Sequence, residues 1–325
     1  MTAGFAVAGV ALAFVAIGVG FEELLAALGR SEPEWIVLGF LSTFCCLVAW
    51  SKVWQVVLET VDVDVAFDRL VVTYFASTFA NYVTPLGQAG GEPFIAYVLS
   101  RGTEADYERS LASVVTADLL NLFPFFTFAG VGFVAVVFHT SLPRRVQPMA
   151  VGLLGLGVGI PVGVAVLWRF RSTVAQGGLR AIAPIVRRVP RITLENLRKR
   201  VKRTISAFEV IADEPRQLGR ALVFSFVGWV FFALPLFFAV EAIGLSISVV
   251  QVLFIVPAST LAGIVPTPGG LGGVEIALAA LLLGIVGLTA PEAYAAALLY
   301  RLVSYWFSIL IGGLAAAIVV SVLMD

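Results

Sequence analysis

Charge is scarce in this sequence. Asp, Glu, Lys and Arg make up 13% of its 325 residues, and one histidine and two cysteines complete the side chains that metal or redox sites usually draw on. Hydrophobic residues make up 60%, and the mean hydropathy is +1.00. A water-soluble domain needs a polar shell that this composition cannot supply, so the surface must face lipid. Cys45 and Cys46 are adjacent inside an apolar run, which excludes a disulfide framework or metal site and reads as two small buried hydrophobes. His139 closes an apolar run just before Ser141 and Pro143, has no second ligand candidate nearby, and reads as an interfacial side chain. There is no P-loop, no G-x-S-x-G elbow, no HExxH helix and no soluble segment large enough for separate catalysis. No cofactor and no metal are expected, ATP-driven transport by this chain alone is excluded, and a transporter is expected rather than an enzyme.

Apolar runs of membrane-spanning length recur around residues 3–21, 35–58, 110–138, 148–168, 221–244 and 291–322. Backbone polar groups in hydrocarbon must be paired within their own segment, and no ten-residue alternating pattern appears, so the spans are expected to be helices and not barrel strands. The expected fold class is all-α, a polytopic membrane helix bundle forming a single integral domain over 1–325. The first run has no basic residue before it and is followed by Glu22 and Glu23, which predicts a retained helix in place of a cleaved signal peptide.

Of the 21 Lys and Arg residues, 13 fall between Arg169 and Arg220. The positive-inside rule makes 169–220 the main cytoplasmic loop, and counting spans outward puts both termini on the cytoplasmic side of a multi-pass cell-membrane protein. The core of the loop, Arg187 to Arg203, predicts a basic amphipathic helix on anionic headgroups, or an ordinary topology signal. No nucleic-acid module accompanies it, so no nucleic-acid partner is expected.

The chain repeats itself. Ala76 to Val83 match Ala258 to Val265 at five of eight positions, and Thr84 to Glu92 and Thr267 to Glu275 then share the pattern T-P-x-G-x-x-G-x-E. Repeat 1 covers about 35–138 and repeat 2 about 221–322. Three crossings lie between the two motifs, an odd number, so the repeats are expected to have inverted topology. Pro85 and Pro268 cannot donate a backbone hydrogen bond, and the glycines around them permit unusual backbone, so each repeat should contain a broken or re-entrant hairpin. Such breaks are tolerated in a membrane where they are buried in protein or line a watery cavity. The amides that open a half-helix after a break can hold a phosphate or carboxylate.

The candidate substrate-binding residues follow from these motifs. In the first half they are Asn81, Thr84, Pro85, Gly87, Gln88, Gly90, Gly91, Glu92 and Asp118. In the second half they are Thr267, Pro268, Gly269, Gly270, Gly272, Gly273, Glu275, Tyr300, Arg301 and Tyr305. Glu92 and Glu275 sit just past the breaks, where a charge facing lipid would cost roughly 2.5 kcal/mol or more, so both must face protein, water or a cation. The repeat offset of 183 sets Asp118 opposite Arg301, which suggests a buried ion pair across the pseudo-symmetry axis or two halves of a site for a zwitterion. Lys52, flanked by Trp50 and Trp54, is expected to snorkel to the cytoplasmic interface.

The stretches N-Y-V-T-P-L-G-Q-A-G-G-E-P at Asn81 to Pro93, P-T-P-G-G-L-G-G-V-E at Pro266 to Glu275 and L-L-Y-R-L-V-S-Y-W at Leu298 to Trp306 resemble the transmembrane, flippase-like domain of lysylphosphatidylglycerol synthases. The resemblance covers nearly the whole chain. It implies a stand-alone member without the soluble aminoacyltransferase domain, and hence transport of a phospholipid or lipid-linked headgroup between leaflets in place of aminoacyl-lipid synthesis. It also sets Gly87, Gly90, Gly91, Gly269, Gly270, Gly272, Gly273, Glu275 and Arg301 on the family's motif positions. The alternative is a membrane-embedded transferase or accessory subunit acting on polyprenyl-phosphate-linked sugars. The expected partners are membrane lipids, with a homodimer or a lipid-modifying enzyme left open.

Overall fold

A computed structural model describes residues 21–84, 92, 95–100, 106–139, scattered positions between 155 and 180, and residues 194–261 and 267–324. The expected spans at 3–21 and 148–168 lie almost wholly outside them. The described residues are helical and contain no strand. In order they form α1 (Phe21–Gly29), α2 (Pro33–Glu59), α3 (Phe67–Val83), α4 (Tyr107–His139), α5 (Leu194–Ala212), α6 (Pro215–Ala242), α7 (Val249–Thr260), α8 (Gly273–Leu281), α9 (Ala290–Arg301) and α10 (Phe307–Met324). Five segments among them are long and apolar enough to cross a membrane: Pro33–Glu59, Tyr107–Ala135, Pro215–Ala242, Pro268–Val286 and Ala290–Ser321. The chain is a multi-pass helical membrane protein.

Helix starts recur at a nearly constant spacing. From Pro33 to Pro215 and from Phe67 to Val249 is 182 residues in each case, and from Tyr107 to Ala290 is 183. The single added residue is the one that Pro266 inserts into the second motif. Both α2 and α6 begin with proline, which lacks the N–H that a first turn leaves unused, and in both a glutamate stands at the N-cap, Glu32 or Glu214.

The packing follows the same correspondence. α2 packs along its counterpart α6, α3 packs on α10, and α7 packs on α4. Since α7 corresponds to α3, and α9 with α10 corresponds to α4, each half lays its hairpin helix on the long helix of the other. Glycines permit both crossings. A Cβ at Gly312 of α10 would meet the Phe75 carbonyl at 2.5 Å and the Phe79 Cβ at 2.9 Å, while one at Gly132 of α4 would meet the Phe254 Cβ at 2.6 Å. At the α2–α6 crossing Gly228 leaves room for the Trp50 indole, and Ser42 donates to the Phe231 carbonyl at 2.7 Å.

The run expected as one span at 291–322 is not a uniform α-helix. A π turn at Leu302–Trp306 divides α9 from α10, and a second π turn at Leu282–Val286 ends α8. Such turns add a residue to the helical circuit and re-aim the side chains around it. Here the first of them directly follows Arg301 and contains Tyr305.

Candidate functional site at the glycine-rich break

The second break is built from three glycines in left-handed backbone. Gly269 (φ 58°), Gly270 (φ 67°) and Gly272 (φ 86°) turn the chain through a single 3₁₀ turn at Pro268–Gly270 before α8 begins at Gly273. A side chain at these angles is strained, and at Gly269 a Cβ would also collide with the Tyr305 ring. Thr267 Oγ1 closes the turn by donating to the Leu271 carbonyl at 2.9 Å.

Glu275 and Arg301 hold this turn. The Glu275 carboxylate is 1% exposed; its Oε2 accepts from the Gly272 N–H at 2.7 Å and its Oε1 from Arg301 Nε at 2.7 Å. Arg301, 8% exposed, also donates from Nη2 to the Gly269 carbonyl at 2.9 Å. Its guanidinium carbon lies 4.1 Å from the centre of the Tyr305 ring, and the Tyr305 hydroxyl donates to the Pro268 carbonyl at 3.3 Å. Carbonyls that the break frees are thus taken by Arg301 and Tyr305, and the post-break glutamate neutralises the arginine. Tyr300 is buried one position before Arg301, and its carbonyl accepts from Ser304 at 2.6 Å.

The first half meets this site through α3, which touches the 3₁₀ turn. Tyr82 packs on Tyr305 with ring centres 5.1 Å apart, in a small cluster with Leu271 and Ile309. Next to it, the Asn81 Oδ1 is buried with no hydrogen-bond partner among the described residues. Thr84 caps α3, its N–H donating to the Ala80 carbonyl at 3.1 Å. Pro85, Gly87, Gln88, Gly90 and Gly91 lie outside the described residues.

The expected pairing of Asp118 with Arg301 is corrected by the structure. Arg301 pairs with Glu275, and Asp118 lies beside Glu92. Each glutamate therefore neighbours the equivalent position of its own half, because the elements that carry the two residues are consecutive in the chain. The two positions differ in charge: one holds an acid with a base, the other two acids. The buried Trp54 indole N–H lies beside Asp118 without completing a hydrogen bond.

Sequence reasoning missed Tyr82 and Trp54 as members of the site. Tyr82 stands inside the quoted motif N-Y-V-T-P, whereas Trp54 was read only as a flank of Lys52. Lys52 itself donates to Gln55 at 2.6 Å and lies 5.1 Å from the centre of the Phe67 ring. Among the described residues no group of His, Cys, Asp and Glu is arranged to hold a metal ion.

The model of the lysylphosphatidylglycerol synthase transmembrane region matches residues 1–312. The chain belongs to that family. Its break, its post-break glutamate and its Tyr-Arg helix all fall inside the matched region. Among similar proteins, a UPF0104 membrane protein of Methanothermobacter thermautotrophicus is 26% identical over 305 residues, covering 91% of this chain and 89% of the relative. A UPF0104 membrane protein of Pyrococcus horikoshii is 24% identical over 305 residues, covering 91% and 90%. A second Methanothermobacter UPF0104 protein is 27% identical over 328 residues, covering 94% and 92%. These relatives are thus spanned almost end to end, with no room for a further large domain. The family's name ties the chain to membrane lipid chemistry.

Proposed function

We propose that this protein moves a phospholipid or lipid-linked headgroup between the two leaflets. The headgroup passes through a polar cleft between the two halves, and the chains stay in the bilayer. The observation that carries this reading is the buried Glu275–Arg301 ion pair at the glycine-rich break, with Glu92 beside Asp118 at the equivalent positions of the first half. Placing four ionisable side chains at membrane depth is costly, roughly 2.5–3.5 kcal/mol for each charge at a helix centre, and residues of this kind mark substrate or ion pathways. The spacing of the helix starts and the exchanged packing of α3 on α10 and α7 on α4 support two copies of one unit related by a pseudo-two-fold axis. With three crossings between the copies, that axis lies in the membrane plane, and the two breaks open to opposite faces.

The chemistry suits an amphiphile with a phosphate. The amides that begin α8 at Gly273 carry partial positive charge, and the Asn81 oxygen, without a partner among the described residues, accepts a headgroup donor. The lipid gradient or the membrane potential supplies the driving force, and the protein acts as a transporter.

The test is reconstitution into liposomes carrying a fluorescent phospholipid in one leaflet, with a membrane-impermeant quencher as readout and mass spectrometry of the lipid afterwards. Loss of leaflet asymmetry without a change in lipid mass is expected. Stable asymmetry over a panel of phospholipids and polyprenyl-phosphate lipids, or a product of altered mass, would overturn the reading.

A further inference from the structure

The two sides of α5 line two different cavities. On one side Val201, Ile205 and Phe208 face Leu120 and Phe123 of α4 across a cavity of about 750 Å³ with almost wholly apolar walls. The volume falls within the ~300–1,000 Å³ of ligand pockets. Along α4 the cavity runs from Tyr107 to Phe123, about 24 Å at a rise of ~1.5 Å per residue. One leaflet's hydrocarbon is about 15 Å deep, half of a ~30 Å core, so an extended lipid chain fits. Water gains nothing in such a space because it finds no polar partners, whereas hydrocarbon restores the dispersion contacts that a void forfeits.

On the other side of α5 lies a polar cavity of about 570 Å³. Lys199, Lys202 and Arg203, with Arg109 of α4, border it together with Asp62, Asp106 and Glu108, and Lys199 also pairs with the exposed Glu195 at 2.9 Å. Glu108 borders both cavities, so they meet at the start of α4. An apolar slot with a cationic mouth is complementary to a chain bearing a negative headgroup. α5 also belongs to the basic segment that the positive-inside rule sets at the cytoplasmic headgroup level.

We propose that the two cavities form one binding site for an anionic phospholipid, with a chain in the apolar cavity and the phosphate on Lys199, Lys202 and Arg203. The site is separate from the glycine-rich break and stands whether or not the protein translocates lipid.

The experiment titrates delipidated protein in detergent with phosphatidylglycerol or with phosphatidylcholine of the same chains and counts bound lipid by native mass spectrometry. Phosphatidylglycerol should bind about tenfold more tightly, a modest preference where each nearby basic residue is worth about fivefold. Combined Lys199→Ala, Lys202→Ala and Arg203→Ala should equalise the two lipids. Ile205→Trp should weaken both by about tenfold by filling the cavity, with Leu120→Trp on the facing wall as a second variant should the first fail to fold. Ile318→Ala, on the exposed face of α10, should leave the titration unchanged. Equal binding of the two lipids, a preference that survives the triple substitution, or retention of lipid in both tryptophan variants would overturn the proposal. So would displacement by glycerol 3-phosphate, which would assign the cations to a soluble phosphate.

Discussion

Removing one member of the Glu275–Arg301 pair should cost more than its share of removing both. Glu275→Leu leaves the Arg301 guanidinium, 8% exposed, with only the Gly269 carbonyl and the Tyr305 ring, and strips the Gly272 N–H of its acceptor. An uncompensated buried charge of this kind costs about 3–5 kcal/mol. Arg301→Met leaves a carboxylate 1% exposed and still bonded to one backbone amide, a comparable penalty. The double variant Glu275→Leu with Arg301→Met buries no charge, and loses mainly the Gly272 cap and the Arg301 bond to Gly269, together about 2–4 kcal/mol by ordinary unsatisfied-group costs. The two single losses together, about 6–10 kcal/mol, should therefore exceed the double loss by about 4–6 kcal/mol. Unfolding titrations of the four proteins in mixed micelles read this difference directly. Losses that add to within about 0.5 kcal/mol would show the two side chains to be energetically independent and refute the tether.

Gly269→Ala should destabilise by at least the ~1–2 kcal/mol of a left-handed residue, more from its clash with Tyr305, and adding Tyr305→Leu should recover only the clash portion in the same titration. Gly312→Val, which drives a side chain into the Phe75 carbonyl and Phe79, should lower the melting temperature in detergent, whereas Gly130→Ala, with open space around it, should not. Asp118→Arg should be tolerated, because it sets an arginine beside Glu92 as Arg301 stands beside Glu275; a loss of folded protein on gel filtration would contradict the equivalence of the two positions.

The described spans are legible in the sequence because hydrocarbon demands long apolar runs, and the second break is legible because T-P-x-G-x-x-G-x-E puts proline and glycine where neither favours a helix. The repeat offset also sets Glu92 with Glu275 and Asp118 with Arg301 as equivalent positions. Equivalence in sequence does not make two side chains neighbours, and Arg301 meets Glu275, which the chain brings to it within the second half. The π turn at Leu302–Trp306 leaves no mark in composition, since Leu-Val-Ser-Tyr-Trp suits an ordinary α-helix. Tyr82 and Trp54 are not marked as site residues by the sequence because their role comes from the α3 packing and from the turn of α2 toward Asp118, neither of which has a local signature.

The central claim is that the two breaks line one wet passage from opposite faces. Single-cysteine proteins carrying Thr84→Cys or Thr267→Cys, with Cys45 and Cys46 replaced by serine, can be reconstituted in oriented vesicles and labelled with an impermeant thiol reagent from either side. Thr84→Cys should react from one face and Thr267→Cys from the other. Labelling of both from the same face, or of neither, would contradict the account.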